Sequence, residues 1–375
     1  MKVLITGGAG FIGTHLTRHL LEQGHQLTVL DNFSPQIHAG KTELAPDLKA
    51  DVKLLVGDIA DPAALASAAD GAECVVHLAA ETGTGQSMYE VSRYERTNLG
   101  GTALLYQLLT QSQARKVERV VVASSRAVYG EGAYLCRRDG IVYPLPRTSA
   151  EKKAGLFDLQ CPVCGGACEM TPTPESAPFQ AASFYGLTKQ MQEQMALMFG
   201  KVLGIPTFAL RYQNVFGPGQ SLHNPYTGIL AIFSTLARTG SLIQVFEDGQ
   251  ESRDFVYIED VVRATAACLS PEIVGYEAIN VGSDNRTSVL TVANEINSFF
   301  GNASDLKITG AFREGDIRHG MADLTKARVV LGYQPQWSFS AGLRNFLLWA
   351  MENELPQNRY EQSLAEMKQR GLLSD

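Results

Sequence analysis

The chain has 375 residues, of which 45% are hydrophobic and 19% are charged. This composition excludes a disordered or fibrous protein and predicts a globular enzyme with a large core, built as two domains or as one domain with an added lobe. The formal charge of -7 leaves no basic field for nucleic acid or anionic lipid, so we expect neither partner, and any anionic ligand must be held by local arginines.

No stretch of about 18 consecutive apolar residues occurs, and the N-terminus enters a glycine-rich motif where a signal peptide would have its apolar core. We therefore expect a cytoplasmic protein that does not enter a membrane. Of the six cysteines, Cys74 and Cys268 lie in apolar segments and are expected to pack in the core. The other four are clustered, and in a reducing compartment such a group suggests a metal before disulfides.

Short apolar runs alternate with helical patterns along the first half of the chain. Because parallel strands that are buried on both faces read as continuous apolar runs, this alternation predicts a doubly wound α/β sheet. The runs assigned to its strands are residues 3–6, 27–30, 52–56, 74–78 and 120–123, followed later by 207–210 and 278–281. The stretch at about 131–178 lacks periodicity and is interpreted as an insertion. Turn-rich segments after Arg211 alternate with helices and predict a smaller lobe over the sheet.

Gly7, Gly10 and Gly13 form a G-x-x-G-x-x-G motif between the first predicted strand and the first helix. Glycines allow a tight turn there, and backbone N–H groups at the helix N-terminus can approach a pyrophosphate, whose charge the helix dipole favours. Asp31 ends the second predicted strand, where a carboxylate can accept both hydroxyls of an adenosine ribose and repel a 2′-phosphate. The motif therefore predicts a dinucleotide site that selects NAD over NADP.

Tyr185 and Lys189 are spaced so that, on a helix, they project from the same face. An ammonium within about 6 Å of a phenol favours the phenolate, which lets Tyr185 take a hydroxyl proton while hydride leaves the same carbon for a nicotinamide. Ser125, at the end of a predicted strand, is expected to hydrogen-bond the developing carbonyl oxygen and to orient Tyr185. These three side chains predict redox chemistry on a carbinol.

Further motifs accompany these residues along nearly the whole chain. They are Thr6-Gly-Gly-Ala-Gly-Phe-Ile-Gly13, Gly57-Asp58-Ile59, His77-Leu-Ala-Ala80, Asn98, Ser124-Ser-Arg-Ala-Val-Tyr-Gly130, the pair Tyr185 and Lys189, Arg211-Tyr-Gln-Asn214 and Ser252-Arg-Asp-Phe255. Together they resemble the extended short-chain dehydrogenases/reductases of the NAD-dependent epimerase/dehydratase family, which modify nucleotide sugars. The resemblance implies a Rossmann-like NAD-binding domain at 1–211 and a smaller C-terminal substrate-binding lobe at 212–355 that adds elements to the sheet. Residues 356–375 are polar and are expected to form a surface helix or tail.

The resemblance also implies roles for individual residues. Those expected to contact the cofactor are Gly7, Gly10, Phe11, Ile12, Gly13, Asp31, Asn32, Asp58, Ile59, Leu78, Ala79, Ala80, Asn98, Tyr185 and Lys189. Those expected to contact a nucleoside-diphosphate sugar are Asn214, Phe246, Arg253, Arg313 and Asp316. Two guanidiniums can neutralise a diphosphate through charge-assisted hydrogen bonds, which suits an otherwise acidic protein.

The two residues after Ser125 help to distinguish the reactions that the family catalyses. The family's 4,6-dehydratases carry an Asp-Glu pair where this chain has Arg126 and Ala127, and neither of these can act as a carboxylate acid or base, so dehydration is disfavoured. The resemblance implies instead a 4-epimerase, which oxidises carbon 4 to a transient 4-keto sugar and returns the hydride to the opposite face. A nucleotide-sugar dehydrogenase or reductase uses the same residues and stays open, as does an inactive NAD-binding scaffold.

Several segments further resemble the dTDP-L-rhamnose 4-epimerase branch of this family. They are residues 125–134, the run Cys161-Pro-Val-Cys164-Gly-Gly, and residues 211–222 with Asn224-Pro-Tyr-Thr-Gly228. The implied product is a nucleotide of 6-deoxy-L-talose. The resemblance also implies a homodimer, in which two helices of each subunit pair through apolar side chains. Those available for this contact are Leu104, Leu105, Leu108, Leu109, Met191, Met195 and Met198.

The insertion contains a possible metal site of its own. Cys161 and Cys164 are separated by two residues and followed by glycine, a spacing that lets two thiolates reach one ion, and structural zinc prefers four such ligands. Cys136 and Cys168 are predicted to complete the set, with Asp139 a weaker candidate. A reduced loop that binds nothing stays open. The role of a metal here is structural, since hydride transfer to NAD supplies the redox step.

Overall fold

The structure is a computed structural model that describes residues 1–111, 116–222, 228–355 and 360–374. The motif positions 224–227 and the first residues of the predicted tail, 356–359, lie outside the described residues.

The strands are mostly short outside the first half of the chain. In chain order they are β1 (Lys2–Thr6), β2 (Gln26–Asp31), β3 (Val52–Val56), β4 (Cys74–His77), β5 (Arg119–Ser125), β6 (Tyr134–Cys136), β7 (Gly140–Val142), β8 (Cys168–Met170), β9 (Thr207–Tyr212), β10 (Asn214–Phe216), β11 (Ile243–Val245), β12 (Ser252–Arg253), β13 (Phe255–Tyr257), β14 (Tyr276–Val281), β15 (Thr287–Ser288), β16 (Leu306–Ile308), β17 (Phe312–Arg313) and β18 (Leu373–Ser374).

The helices connect and cover these strands. They are α1 (Phe11–Glu22), α2 (Pro35–His38), α3 (Pro62–Ala69), α4 (Thr84–Ser87), α5 (Val91–Tyr94), α6 (Gly101–Thr110), α7 (Ser149–Lys153), α8 (Phe184–Leu203), α9 (Ile229–Arg238), α10 (Ile258–Ala267), α11 (Val289–Phe299), α12 (Thr325–Leu331), α13 (Phe339–Glu352) and α14 (Tyr360–Gln369). Short 3-10 turns lie at Pro46–Leu48 and Arg126–Tyr129, and a π-helical stretch at Glu95–Gly100 leads into α6. None of the described helices combines the length and the apolar character needed to cross a bilayer.

Seven strands form one sheet in the order β14-β9-β5-β4-β1-β2-β3, with every neighbouring pair parallel. All seven predicted strands are present in it, so the predicted doubly wound, Rossmann-like fold is confirmed. The strand order changes direction between β1 and β4, which opens a crevice at the carboxyl ends of these two strands. The last strand of the sheet, β14, comes from the C-terminal half of the chain.

Alternating side chains of the buried strands fill two cores, one on each face of the sheet. Val3, Ile5 and Val29 pack on one face with α1, α9 and α10, whereas Leu4 and Val75 pack on the other face with α3 and α6. Because both faces are covered, all seven residues of β5 are buried, including polar Ser124 and Ser125 at its carboxyl end. The sheet therefore presents Ser125 from a rigid position.

The insertion folds as a small unit beside the cleft. Strands β7, β6 and β8 form a three-stranded antiparallel sheet, and α7 follows β7. Its core contains the buried side chains Tyr134, Cys136, Val142, Leu159 and Cys161. A ladder contact joins the chain after the insertion to the C-terminal half, since Thr173 pairs with Ala322, and within that half β17 pairs with β18.

Candidate active site

A cleft of about 1880 Å³ runs from the carboxyl ends of the central strands into the C-terminal half of the chain. Its walls include most of the predicted cofactor, catalytic and substrate residues. Those that line it are Gly7, Gly10, Phe11, Ile12, Gly13, Asp31, Asn32, Ile59, Leu78, Ala79, Ala80, Ser125, Tyr185, Lys189, Asn214, Phe246, Arg253, Arg313 and Asp316. Among the predicted set, Asp58 and Asn98 lie outside this lining.

The glycine motif is packed so tightly that side chains are excluded. Gly7 has φ +69°, and a Cβ atom there would lie 2.7 Å from the backbone nitrogen of Ala79. A Cβ at Gly13 would lie 2.5 Å from the Cα of Gly8. Gly10 precedes the first turn of α1, whose leading N–H groups have no partner within the helix. The loop therefore brings a helix N-terminus close to the crevice, where a pyrophosphate can approach backbone N–H groups.

Asp31 stands at the carboxyl end of β2, beside the glycine motif. Its two carboxylate oxygens accept from the backbone N–H groups of Ala9, at 3.0 Å, and Phe33, at 2.9 Å. The carboxylate is buried and lines the cleft. These contacts hold Asp31 at the place where the ribose of a dinucleotide bound at the glycine motif would lie.

Asp58 and Asn98 do not line the cleft themselves but bond to residues around it. The Asp58 carboxylate accepts from the side-chain amide of Asn32 at 3.1 Å, and Asn32 lines the cleft. Asn98 is buried and uses both ends of its amide, accepting from Glu81 N–H at 2.8 Å and donating to Thr188 Oγ1 at 3.0 Å. It thereby ties the loop after β4 to the helix that carries Tyr185 and Lys189.

The predicted catalytic residues converge from β5 and α8. Ser183 caps α8 by accepting from the N–H of Gly186 at 3.1 Å, so Tyr185 lies in the first helical turn and Lys189 in the next. The Lys189 ammonium is 2% exposed and donates to the carbonyl of Ala123 and the side-chain oxygen of Gln192, each at 2.8 Å. Burial lowers the pKa of Lys189 to about 7.

The surroundings of Tyr185 act on its phenol in both directions. Burial raises the pKa of Tyr185, and hydrogen bonding with Ser125 and the positive charge of Arg126 oppose this shift. Lys189 lies one helical turn after Tyr185 and bonds to the backbone of β5 and to Gln192 on its own helix. That its ammonium favours the phenolate stays a prediction.

Arg126 is a cleft residue whose position the sequence did not reveal. It follows Ser125 directly and lines the cleft, close enough to Tyr185, Arg253 and Asp316 for their charges to act on it. Burial and the like charge of Arg253 lower the pKa of Arg126 to about 10. The position that carries a carboxylate in the dehydratases of the resembled family thus holds a cation whose charge acts on the phenol of Tyr185.

The predicted substrate residues form the far wall of the cleft. Arg253 donates to the Asp316 carboxylate at 2.5 Å, and this contact and the nearby arginines lower the pKa of Asp316 to about 2 against the effect of its burial. The Arg313 guanidinium lies over the ring of Phe246, with 4.9 Å from its central carbon to the ring centroid. Two guanidiniums and one aromatic face therefore share a wall, which is an arrangement that can hold a diphosphate and a base.

Residues near the C-terminus also line the cleft, where the sequence predicted a polar surface helix or tail. Tyr360, Met367 and Leu372 are part of its wall, and Leu373 in β18 pairs with Arg313 in β17. On the other side, the guanidinium of Arg370 lies over the ring of Tyr89, 4.0 Å from its centroid. The segment thus contacts both β17, which carries Arg313, and the part of the chain around Tyr89. This packing depends on isolated apolar residues, and these are too few to give a recognisable periodic pattern in the sequence.

The cysteines of the insertion divide into two sets. Cys136, Cys161 and Cys164 lie together with Asp139, and the ligand atoms of these four residues are all within 4.8 Å of one another. Cys168, which was predicted as a ligand, lies outside this group, and its thiol donates to the carbonyl of Leu159 at 3.2 Å. Asp139, the weaker candidate, takes the fourth position.

Comparison with known proteins agrees with this arrangement of sites. The family model described as NAD dependent epimerase/dehydratase family matches residues 3–149 and 161–282. The chain belongs to this family. Its predicted family and enzyme class are thereby confirmed, and the gap in the match, 150–160, falls within the insertion. The glycine cradle and the fixed Asp31 carboxylate fit the NAD that the family uses.

Individual relatives match along nearly their whole length. The chain is 39% identical over 350 residues to the dTDP-L-rhamnose 4-epimerase of Burkholderia thailandensis, covering 93% of this chain and 94% of the relative. The UDP-glucose 4-epimerase of Thermotoga maritima, solved with UDP-glucose, is 28% identical with a TM-score of 0.76. The UDP-glucuronic acid 4-epimerase of Bacillus cereus, solved with UDP-glucuronic acid and NAD, is 25% identical with a TM-score of 0.77. Each comparison with a solved structure covers 94% of this chain and 99% of the other.

Proposed function

We propose that the protein is an NAD-dependent nucleotide-sugar 4-epimerase that interconverts dTDP-L-rhamnose and dTDP-6-deoxy-L-talose. The observation that carries this proposal is the meeting of Ser125, Tyr185 and Lys189 with the glycine motif and the wall of Arg253 and Arg313 in one cleft. The 39% identity to a dTDP-L-rhamnose 4-epimerase supports the choice of substrate.

Different residues of the cleft have different roles in the proposed reaction. NAD, when bound, accepts hydride from carbon 4 of the sugar and returns it. Tyr185 takes the proton of the 4-hydroxyl and gives it back, while Ser125 hydrogen-bonds the oxygen as it becomes a carbonyl. Arg253 and Arg313 hold the diphosphate, so that the sugar can turn between the two hydride transfers without leaving the protein.

The protonation state of the Tyr185 phenol depends on the charges near it. Burial holds its phenol in the neutral form, and the positive charge of Arg126 and the hydrogen bond from Ser125 favour the phenolate. A carboxylic acid for eliminating water is absent from positions 126 and 127, which supports epimerisation over dehydration. No step of the cycle needs a metal ion, so we propose a structural role for zinc bound by the insertion.

The test is conversion of dTDP-L-rhamnose by the full-length protein, followed by separation of the two nucleotide sugars. We expect both epimers at equilibrium without net NADH, and a deuterium placed at carbon 4 is retained because hydride returns to the same carbon. Tyr185→Phe is expected to lower kcat by about 10² to 10⁴. Tyr143→Phe, outside the cleft lining, is the matched control.

Other outcomes separate the remaining functions. Accumulation of NADH with an oxidised sugar supports a dehydrogenase, and loss of water supports a dehydratase. The protein is also tested on a panel of other UDP- and dTDP-sugars. If it epimerises one of these but not dTDP-L-rhamnose, the proposed substrate is wrong and the proposed reaction stands. Bound NAD with no reaction on any sugar would favour the inactive scaffold.

We also propose a homodimer that forms through α6 and α8. Met191 and Met198 are 43% and 53% exposed on α8, and Leu104 and Leu108 on α6 are half-buried, whereas Leu105 and Leu109 belong to the core. Such a row of exposed apolar side chains on adjacent helices suits a four-helix contact. Light scattering should give twice the chain mass, and the double variant Met191→Glu with Met198→Glu should give the monomer. Val329→Glu, 81% exposed on α12, is the control.

The division of the chain into domains is also a proposal. We propose residues 1–211 as the NAD-binding domain and 212–355 as the substrate lobe, which agrees with the positions of the glycine motif and of Arg253 and Arg313. A cytoplasmic location agrees with the six cysteines, all of which are free.

A further inference from the structure

Two short segments of the insertion repeat one pattern. In each, a cysteine is followed after two residues by a second residue with a metal-binding side chain, and then by a glycine. The segments are Cys136-Arg-Arg-Asp139-Gly140 and Cys161-Pro-Val-Cys164-Gly165. The glycines have φ +75° and +70°, a region that few other residues adopt without strain. Each turn therefore aims its two ligand side chains in one direction, and the two turns face each other.

The atoms at the centre of the two turns have the spacing of a small tetrahedral site. The Sγ atoms of Cys136 and Cys164 are 3.6 Å apart, and the Asp139 carboxylate lies 3.4 Å from Cys136 Sγ and 3.2 Å from Cys161 Sγ. Zinc bonds of about 2.3 Å to sulfur and about 2.1 Å to oxygen give tetrahedral edges of about 3.8 Å and about 3.6 Å. Small outward shifts of these side chains would admit the ion.

We propose that Cys136, Asp139, Cys161 and Cys164 bind one zinc ion with a structural role. Three thiolates and one carboxylate complete a closed set of four protein ligands, which is the arrangement of structural rather than catalytic zinc. The four residues do not line the cleft, so this site is separate from the proposed epimerase chemistry. The sulfur atoms are also too far apart for a disulfide, whose S–S bond is about 2.05 Å.

The insertion needs such a site because its own core is small. Five buried side chains form that core, and two of them, Cys136 and Cys161, are proposed ligands. A unit with so few apolar contacts gains stability from a metal that binds only the folded form. The ion would also fix the strand β6, which follows Glu131 closely in sequence. Glu131 accepts from Arg318 N–H at 2.8 Å, next to the substrate wall.

Metal analysis of the full-length protein tests the proposal. We expect one zinc per chain in protein purified with a reductant. Added Co²⁺ should give the visible absorption of a tetrahedral site with thiolate ligands once zinc has been removed. Cys161→Ser and Asp139→Asn should each lose zinc or release it to a weak chelator, whereas Asp139→Cys should retain it. Cys168→Ser is the matched control, since it removes a thiol of the same sheet that bonds to Leu159 instead.

Three results would overturn the site. They are the absence of stoichiometric zinc or Co²⁺ in folded, fully reduced protein, loss of metal in Cys168→Ser with retention in Asp139→Asn, and a Cys136–Cys164 disulfide in protein kept under reductant. Circular dichroism identifies variants that fail to fold. If a cysteine variant does not fold, the metal contents of Asp139→Asn and Asp139→Cys decide whether the site exists. Metal content is measured without substrate, so failure of the epimerase proposal leaves this test intact.

Discussion

The guanidinium of Arg147 donates to the carboxylate of Glu247 at 2.6 Å, and the two side chains are only 2% and 3% exposed. Arg147 belongs to the insertion, between β7 and α7, while Glu247 follows Phe246 in the substrate wall. Arg147 also donates to the backbone carbonyl of Asp316 at 3.3 Å. One buried cation thus connects the insertion to Asp316, which is expected to bind the nucleotide sugar, and to Glu247, the neighbour of Phe246.

Replacing Arg147 by alanine should destabilise the protein because it leaves Glu131 and Glu247 buried with fewer positive partners. Breaking a buried pair by removing one member costs about 3 to 5 kcal/mol, and we expect the free energy of unfolding in urea to fall by about that amount. Arg137→Ala is the control, since the side chain of Arg137 is 93% exposed and lies 3.7 Å from Glu169. Its loss should change stability by less than about 1 kcal/mol. Equal effects of the two variants would contradict the role assigned to Arg147.

Arg126→Gln should shift the pH dependence of turnover. The positive charge of Arg126 favours the phenolate of Tyr185, so its removal raises the pKa of Tyr185 further. Because the reaction needs the phenolate to accept a proton, the acidic limb of the kcat profile should move to higher pH by about one unit. Arg137→Ala should leave the profile unchanged. A rise in KM with kcat and its acidic limb unchanged would show that Arg126 acts on substrate binding alone.

Glu251 provides a prediction about stability and pH. Its carboxyl is 6% exposed, and within the described part of the chain its Oε2 atom has no hydrogen-bond partner. Burial and the negative charge of Glu247 raise the pKa of Glu251 to about 7. The folded protein therefore holds this proton more tightly than the unfolded chain does, so the stabilisation is complete below about pH 4.5 and is lost as pH rises through about 7.

Glu251→Gln keeps the neutral form at every pH. We expect its free energy of unfolding, measured in urea without ligands, to exceed that of the native protein by about 3 kcal/mol at pH 8 and to match it near pH 4.5. Glu352→Gln, exposed on α13, is the control. A constant difference between the Glu251 variant and the native protein across this range would disprove the raised pKa.

The sequence was sufficient for those parts of the molecule that local pattern determines. Continuous apolar runs identified all seven strands of the sheet, and the glycine motif, Ser125 and the Tyr185–Lys189 spacing located the cleft. These features work because a strand buried on both faces needs an unbroken apolar run, and because helical spacing alone places Tyr185 and Lys189 together.

The parts that were missed depend on contacts between distant residues. Arg147 and Glu247 are neighbours only after the insertion has folded against the substrate wall, and no periodicity marks either one. Asp139 was ranked below Cys168 because a cysteine is the commoner zinc ligand, whereas the paired two-residue spacing of Cys136 and Asp139 was the informative signal. The partners of Lys189 were also missed, because helical spacing does not show that its ammonium bonds to Ala123 and Gln192.

The C-terminal segment gives the last prediction. Strand β18 pairs with β17, which carries Arg313, and Tyr360 and Leu372 line the cleft. A chain that ends at Leu355 should therefore hold Arg313 less firmly, and we expect KM for the nucleotide sugar to rise about tenfold, the equivalent of one weakened hydrogen bond to a charged group, with a smaller change in kcat. Removal of Asp375 alone is the control. Should the truncation prove unstable, Leu373→Asp disrupts the same strand pair. An unchanged KM in a folded variant would show that the segment covers the cleft without positioning Arg313.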